Sequence, residues 1–422
     1  MKKSVILRSS TLVALASVFA MSAANAAELK PGDVIDASNF DQVKEDTFEG
    51  HKIKDLITDK VEILIKNYNL KIPLRASEEI PVPQEDIENT KKYAGEVNID
   101  PETKEVTGYK AGTPFPDIDV NDPLAGFKAL NNYYYQNTYG NSFDGSYTFL
   151  FVDSNRGLDR AQRWWTFSLK MKGRQTGEPV LGDGTLVKKQ LLFAVEPFDI
   201  KGLGIFTVRY DSKRLEDNWA YVKSVRRTRQ LSGSSWMDNM AGSVQLNDEY
   251  DGLSGRPSWY PTAKLIGKRH VLAVAHLPLT LVNPSGATNA EKYPTVNTQE
   301  KPFSMPAKNV EWEPREVWAI ELGMPGEHPY SKRILYMDTK FPRIYNVEHY
   351  DKSGEFAKIS FVMTTPIKGD DGILSMTPRQ GLCFDIKRQE GFVYLQEADA
   401  MANRRGVTEN DVTLGKLEAA AK

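Results

Sequence analysis

Internal disulfides are excluded at the outset, because 422 residues contain a single cysteine, Cys383. Its setting, GLCFDIK, is strand-like and predicts a small buried apolar residue. The fold must then be held by its apolar core, for which a chain of this length is ample. Histidine is also scarce, at five. His270 and His276 share one strand face but lie about 20 Å apart at roughly 3.3 Å per residue, too far to bind one metal. The sequence has no HExxH, no phosphate-binding GxxxxGK[ST] loop and no GxSxG elbow. Gly202-Leu203-Gly204 lacks the third glycine of a dinucleotide fingerprint. No catalytic residue, metal site or cofactor is therefore predicted, and the expectation is a protein that is not an enzyme. Neither sign of charge dominates, with 54 Lys and Arg against 56 Asp and Glu. There is no long basic block either, which argues against nucleic acid as the main partner. Beyond the N-terminus no apolar run approaches the about 20 residues of a membrane helix. Internal repeats and heptads are absent.

What is present begins with a leader. Met1, Lys2, Lys3 and Arg8 precede an apolar run, Thr11–Met21, and Ala24-Asn25-Ala26 has the small-x-small pattern of a cleavage site. Residues 1–26 read as a secretory signal peptide cut after Ala26. No cysteine follows the cut, so a lipid anchor of the bacterial type is not expected. The mature chain is expected to be soluble, exported and mildly acidic.

Residues 27–140 read as a helical and loop region. Ile53, Leu56, Ile57, Val61, Leu64, Ile65 and Tyr68 recur at helical spacing. Gln84–Tyr93 is a short charged helix, and Asp122-Pro123 opens a third that Gly140 stops. Residues 141–400 alternate apolar and polar, predicting strands at Ser146–Val152, Arg163–Met171, Leu186–Val195, Gly202–Tyr210 and Asn218–Leu231. Further strands are expected at Lys264–Ile266, Arg269–Leu277, Arg315–Leu322, Arg333–Asp338, Arg343–Tyr350, Phe356–Met363 and Gly381–Lys387. Turns such as Gly182-Asp183-Gly184-Thr185 and Lys352-Ser353-Gly354-Glu355 separate them. The fold class is mainly β with flanking helices (α+β), an antiparallel meander curled into an unclosed barrel. Asn283–Pro306 is expected to run over the surface, and residues 401–422 form a helical tail.

One stretch, Asp217–Tyr260, concentrates unlike groups. A strand carrying Trp219 and Tyr221 runs into Arg226, Arg227 and Arg229. A turn of small residues leads to Trp236, Met237 and Met240, and then to Asp248, Glu249 and Asp251. Those acids are expected to be a solvated turn or the partners of the arginines. Arg156, Arg160 and Arg163 precede a second aromatic strand with Trp164, Trp165 and Phe167. Guanidinium forks suit anionic head groups. If both arginine sets ring one end of the barrel, they would hold a head while the aromatics hold an apolar tail. The candidate ligand-binding residues are therefore Trp165, Phe167, Trp219, Tyr221, Arg226, Arg227, Arg229, Trp236, Met237 and Met240.

The same residues carry a family resemblance. The aromatic strand with VRRTRQLS, the small turn and DEYDG resemble exported proteins of the outer-membrane lipoprotein-sorting type. LKPGDVIDASNFDQVKEDTFEGHKIKDLI, DPLAGFKALNNYY and RILYMDTKFPRIYNVEHYDKSGE are similar to the domain-of-unknown-function 1329 family over nearly the whole mature chain. The resemblance implies a lipoprotein-carrier-like half-barrel with helices against its open side and an apolar cavity. It also implies the periplasm of a Gram-negative bacterium and an association with hydrophobic-compound uptake or efflux-type membrane transporters. The helical N-terminal region has no counterpart in the carriers, so lipoprotein cargo does not follow. The expected function is a carrier or binding protein for a hydrophobic or amphiphilic molecule, serving an envelope transport system. The alternatives are an enzyme acting on an envelope lipid or exported aromatic compound, and an adaptor docking on a membrane transporter.

Overall fold

The structure, a computed structural model, describes residues 26–136, 140–222 and 227–420. The predicted leader (apart from Ala26) and Arg226 lie outside the described residues. Thirteen strands form one continuous antiparallel sheet: β1 Ser142–Asp153, β2 Gly157–Lys170, β3 Leu186–Glu196, β4 Gly204–Tyr210, β5 Asp217–Val222, β6 Arg227–Gln230, β7 Thr262–Ala273, β8 Glu313–Gly323, β9 Tyr330–Asp338, β10 Ile344–Asp351, β11 Phe356–Lys368, β12 Leu374–Asp385 and β13 Glu390–Gln396. A short strand, β14 Met401–Ala402, adds to β1.

Across the sheet the order is β6-β5-β4-β3-β2-β1-β13-β12-β11-β10-β9-β8-β7. Each strand pairs with its neighbour in sequence, and β1 pairs with β13 (Val152 with Gly391, Thr148 with Leu395). The ring is thus open at one seam, between β6 and β7, and the sheet is the unclosed barrel that the alternation predicts. Residues 231–261 connect those two free edges and fold onto one face of the sheet, called inner below. β6 is short and leaves Arg227, Arg229 and Gln230 exposed. A short charged strand is a poor template for edge-to-edge pairing.

Period-two alternation sets the faces. On β2, Trp164, Thr166 and Ser168 face inward with Tyr147 and Phe149 of β1, while Trp165, Phe167 and Leu169 face outward. Outward residues Leu150, Ile359, Phe361, Leu382 and Val393 pack under the N-terminal region, which contributes Ile53, Leu64, Ile65 and Ile72. The helix expected from Ile53 to Tyr68 is broken at Thr58, whose side chain accepts a hydrogen bond from Val61 N (3.3 Å) and starts α1, Asp59–Asn67. α2, Gln84–Tyr93, lies where expected. α3, Ala125–Tyr135, ends before the predicted Gly140 and packs along β7. Gly126 allows that approach, since a Cβ there would stand 2.3 Å from the Ala263 carbonyl oxygen. α4, Leu414–Ala420, lies on the outer face of β3–β5, where Leu417 and Val412 cover Leu191, Phe206 and Tyr221.

Several expectations are corrected. Asn218–Leu231 is two strands, β5 and β6, and Lys264–Ile266 with Arg269–Leu277 is one strand with an irregularity between Leu265 and Gly267. Val296 and Met305 of the expected surface excursion are buried in the outer core. β13 was not foreseen. Its Phe392-Val393-Tyr394-Leu395 run is buried on both faces and so shows no alternation.

Candidate ligand-binding site

The connection from β6 to β7 is held by charge. Asp248 accepts from Arg333 Nη2 (2.9 Å) and Tyr260 Oη (3.2 Å), with His328 Nε2 at 3.2 Å. Glu249 accepts from Tyr330 Oη (2.6 Å) and lies 3.4 Å from Lys358 Nζ, 3.6 Å from Arg333 and 3.6 Å from His349 Nδ1. Asp251 accepts from Tyr394 Oη (2.6 Å). All these carboxylates are buried, so the expected solvated turn, or pairing with the arginines at 227–229, does not occur. The partners instead come from β9, β10, β11 and β13. Burial pushes the Asp248 carboxyl up, but Arg333 and His328 outweigh it and hold it at about 2. Burial also drives His328 and His349 below their usual imidazole range. Two cations thus face Asp248 and Glu249, with the histidines neutral.

Anchored in this way, residues 231–254 roof the inner face of β1–β5 and leave two adjoining lobes. The larger, about 160 Å³, lies between Tyr147, Phe149, Leu192 and Ile205 of the sheet and Leu231, Trp236, Met240 and Tyr250 of the roof. Its polar rim includes Gln190, Thr207, Asn218 and Arg209. The smaller, about 110 Å³, lies toward the C-terminal end of α3 and is bounded by Tyr134, Gln136, Lys170 and Lys188. Arg209, Tyr250 and Ser254 line both. Burial opposes the charge of Arg209, and Glu216, bonded to its Nε, restores it. Burial lowers Lys170 to about 7 and Lys188 to about 8. A wider groove of about 1040 Å³ beside α2 and β8 is open to solvent and lined by apolar side chains such as Val82, Ile87, Val120 and Trp318 together with charged ones such as Lys268, Glu316 and Lys340.

Of the predicted ligand residues, Trp236 and Met240 line the larger lobe. Trp236 is buried against Trp259, Tyr260 and His328, with ring centroids 5.4, 5.8 and 5.6 Å away. Met237 is half-buried on the other side of the roof, beside Tyr330. The structure does not bring Trp165, Phe167, Trp219 and Tyr221 to the lobes. They face outward under α4, with Trp165 against Phe193 (4.7 Å) and Trp219 against Phe206 (5.5 Å). Arg227 and Arg229 stand exposed on the free edge. Arg156, Arg160 and Arg163 pair with Asp153, Asp159 and Glu397 and line neither lobe. Sequence reasoning missed Lys170, Lys188, Gln190 and Arg209. The available signal was the polar half of each alternation: Thr166, Ser168 and Lys170 share one face of β2.

Residues 34–414 match the family described as "Protein of unknown function (DUF1329)". Among solved structures, the chain is similar to a DUF1329 family protein from Desulfovibrio piger (15% identity, TM-score 0.48, covering 70% of this chain and 100% of that one). It is also similar to a domain assigned to outer membrane lipoprotein sorting from Vibrio parahaemolyticus (13%, 0.47, 70% and 100%). A third similar structure is a LolA superfamily protein from Nitrosomonas europaea (15%, 0.40, 67% and 94%). The chain has no match among curated proteins.

Proposed function

This chain belongs to the DUF1329 family, and we propose that it is an exported, non-catalytic binding protein for a small hydrophobic or amphiphilic molecule, serving transport across the periplasm. The observation that carries the reading is the pair of adjoining cavities under the roof, the larger with an aromatic and aliphatic wall beside a polar rim and the smaller lined by Lys170, Lys188 and Arg209. A site that only binds needs no nucleophile or general base. It needs apolar walls to remove a tail from water, at about 25 cal/mol per Å² before ordering costs. Size limits the ligand: an engineered cavity of about 150 Å³ accepts benzene, and the larger lobe is of that scale. A ring or a short chain fits this roof as it stands, whereas a multi-acylated lipid requires it to lift.

The test is extraction and displacement. Protein purified from the periplasm should carry an organic compound detectable by mass spectrometry, and the stripped protein should bind a fluorescent fatty-acid probe. Met240→Trp, which fills the larger lobe, should weaken probe binding at least about tenfold. Clean extracts together with no probe uptake would overturn the reading.

A further inference from the structure

The floor of the larger lobe is laid in two rows. Gln190, Thr207 and Asn218 are register neighbours across β3, β4 and β5, and Leu192 and Ile205 form the next pair on the same face. The rows lie two residues apart along the strands, about 6.6 Å at roughly 3.3 Å per residue, a distance that one substituted ring spans. Around this floor, Tyr147 and Phe149 from β1 and Trp236 and Tyr250 from the roof supply aromatic walls. These rings are themselves held by rings: Phe149 by Phe392 (5.3 Å between centroids), Trp236 by Tyr260 (5.8 Å) and Tyr250 by Tyr394 (5.1 Å). Walls fixed in this way favour a rigid guest, since a flexible chain loses rotational freedom on binding and a ring has little to lose. Aromatic pairs also gain beyond the area they bury.

The polar row defines the rest of the ligand. Thr166 Oγ1 donates to the Leu191 carbonyl (2.9 Å), so toward Gln190 it can only accept, and it takes Nε2 of that amide (3.1 Å). The amide orientation is thereby set, and Gln190 Oε1 accepts from none of the described residues. Thr207 Oγ1 donates to Asn218 Oδ1 (2.6 Å), and Asn218 Nδ2 donates to Ser235 Oγ (3.2 Å). That chain ends on Ser235, whose own hydrogen is donated to no described group. The row thus offers one unused acceptor and one unused donor, and a hydroxyl group can answer both. Charge is already balanced. Among the described residues the only charged side chains lining this lobe are Arg209 and Glu216, and they pair with each other. An ionised head would be left there without a counter-charge. We infer that the larger lobe takes an uncharged single-ring aromatic bearing a hydroxyl group, a phenol, whose ring lies over Leu192 and Ile205 and whose hydroxyl donates to Gln190 Oε1. The inference rests on the binding function proposed above and goes further by assigning the chemical class of the ligand and the residue that reads its hydroxyl.

The test compares p-cresol with three relatives, titrated calorimetrically into the stripped protein at pH 7, where p-cresol is uncharged. Toluene lacks the hydroxyl, 4-methylcyclohexanol lacks the aromatic ring, and 4-methylbenzoate carries a charge. The native protein should bind p-cresol about fivefold more tightly than toluene or 4-methylcyclohexanol, and at least about tenfold more tightly than 4-methylbenzoate. Gln190→Leu should erase the preference over toluene without weakening toluene itself, which also shows that the variant is folded. Three results overturn the phenol assignment and leave the binding function standing: equal binding of p-cresol and toluene by the native protein, a preference that survives Gln190→Leu, or tighter binding of the saturated or the charged relative. Failure of all four compounds while the fatty-acid probe still binds also overturns the assignment alone. Failure of the probe as well overturns both.

Discussion

His349 is fully buried, and its protonation can be read from its surroundings. Burial drives it far below the usual 6.5, Arg333 and Lys358 add to the effect, and Glu249 opposes it. An unfolded chain takes up this proton below about pH 6.5, and the folded chain does not. The stability that comes from keeping His349 neutral is therefore complete above that value and declines as pH falls, by about 1.4 kcal/mol per pH unit. His328 is shifted the same way, chiefly by burial. Denaturant unfolding followed from pH 7 to 5 should show falling stability. In His349→Gln the slope should shrink by the share of His349, while His328, His270 and Asp86 keep theirs. An unchanged slope would mean that His349 is not held neutral in the folded chain.

The roof, residues 231–261, is the element on which the site depends. It has little regular structure, only short turns such as Asn247–Gly252, and its position rests on Asp248 and Glu249 meeting Arg333 and Lys358. Removing one partner of a buried pair leaves the other charge uncompensated, at a cost of about 3–5 kcal/mol. Arg333→Leu should therefore release the roof before it unfolds the sheet. Chymotrypsin should spare the native protein at Trp236, Tyr250 and Trp259 and cut the variant there, with fragments read by mass spectrometry. A second anchor works through shape. Gly381 lies beneath the Tyr394 ring, and a Cβ would stand 2.0 Å from it, so Tyr394 keeps its bond to Asp251 only while residue 381 is glycine. At this scale the sequence was partly legible. Its strands and α2 fall close to where alternation and helical spacing put them, and the concentration of unlike groups at Asp217–Tyr260 marks the roof. Its acids were misassigned because their basic partners lie about 80 residues or more away, beyond any local pattern.

For the whole molecule, the open seam allows one sheet to serve two purposes. Its outer face is structural, covered by the N-terminal region and by α4. Its inner face carries the roof and the lobes. No described helix is long and apolar enough to cross a membrane. Removing residues 408–422 should uncover Phe206, Leu191 and Tyr221, at about 1.5–3 kcal/mol for each large side chain re-exposed. The truncated protein should melt earlier and bind an apolar dye on its outer face, yet bind the probe in its lobes with unchanged affinity. A loss of probe affinity matching the loss of stability would show that the two faces are not independent.

Alternation along the chain was enough to establish a long antiparallel meander, most of the breaks between its strands, and two chemically distinct sides for β2 and β5, and the single cysteine an apolar core without disulfides. It carried no information about which side encloses space. Trp165, Phe167, Trp219 and Tyr221 looked like a ligand wall and are the seat of α4, because an apolar stripe is equally suited to either partner. Folding alone decided that the polar stripe through Ser168, Lys170, Lys188 and Arg209 lines the lobes. It also decided that Asp248 and Glu249 are buried ions, since charges in contact across the sheet depend on its curvature and closure and not on neighbours in the chain.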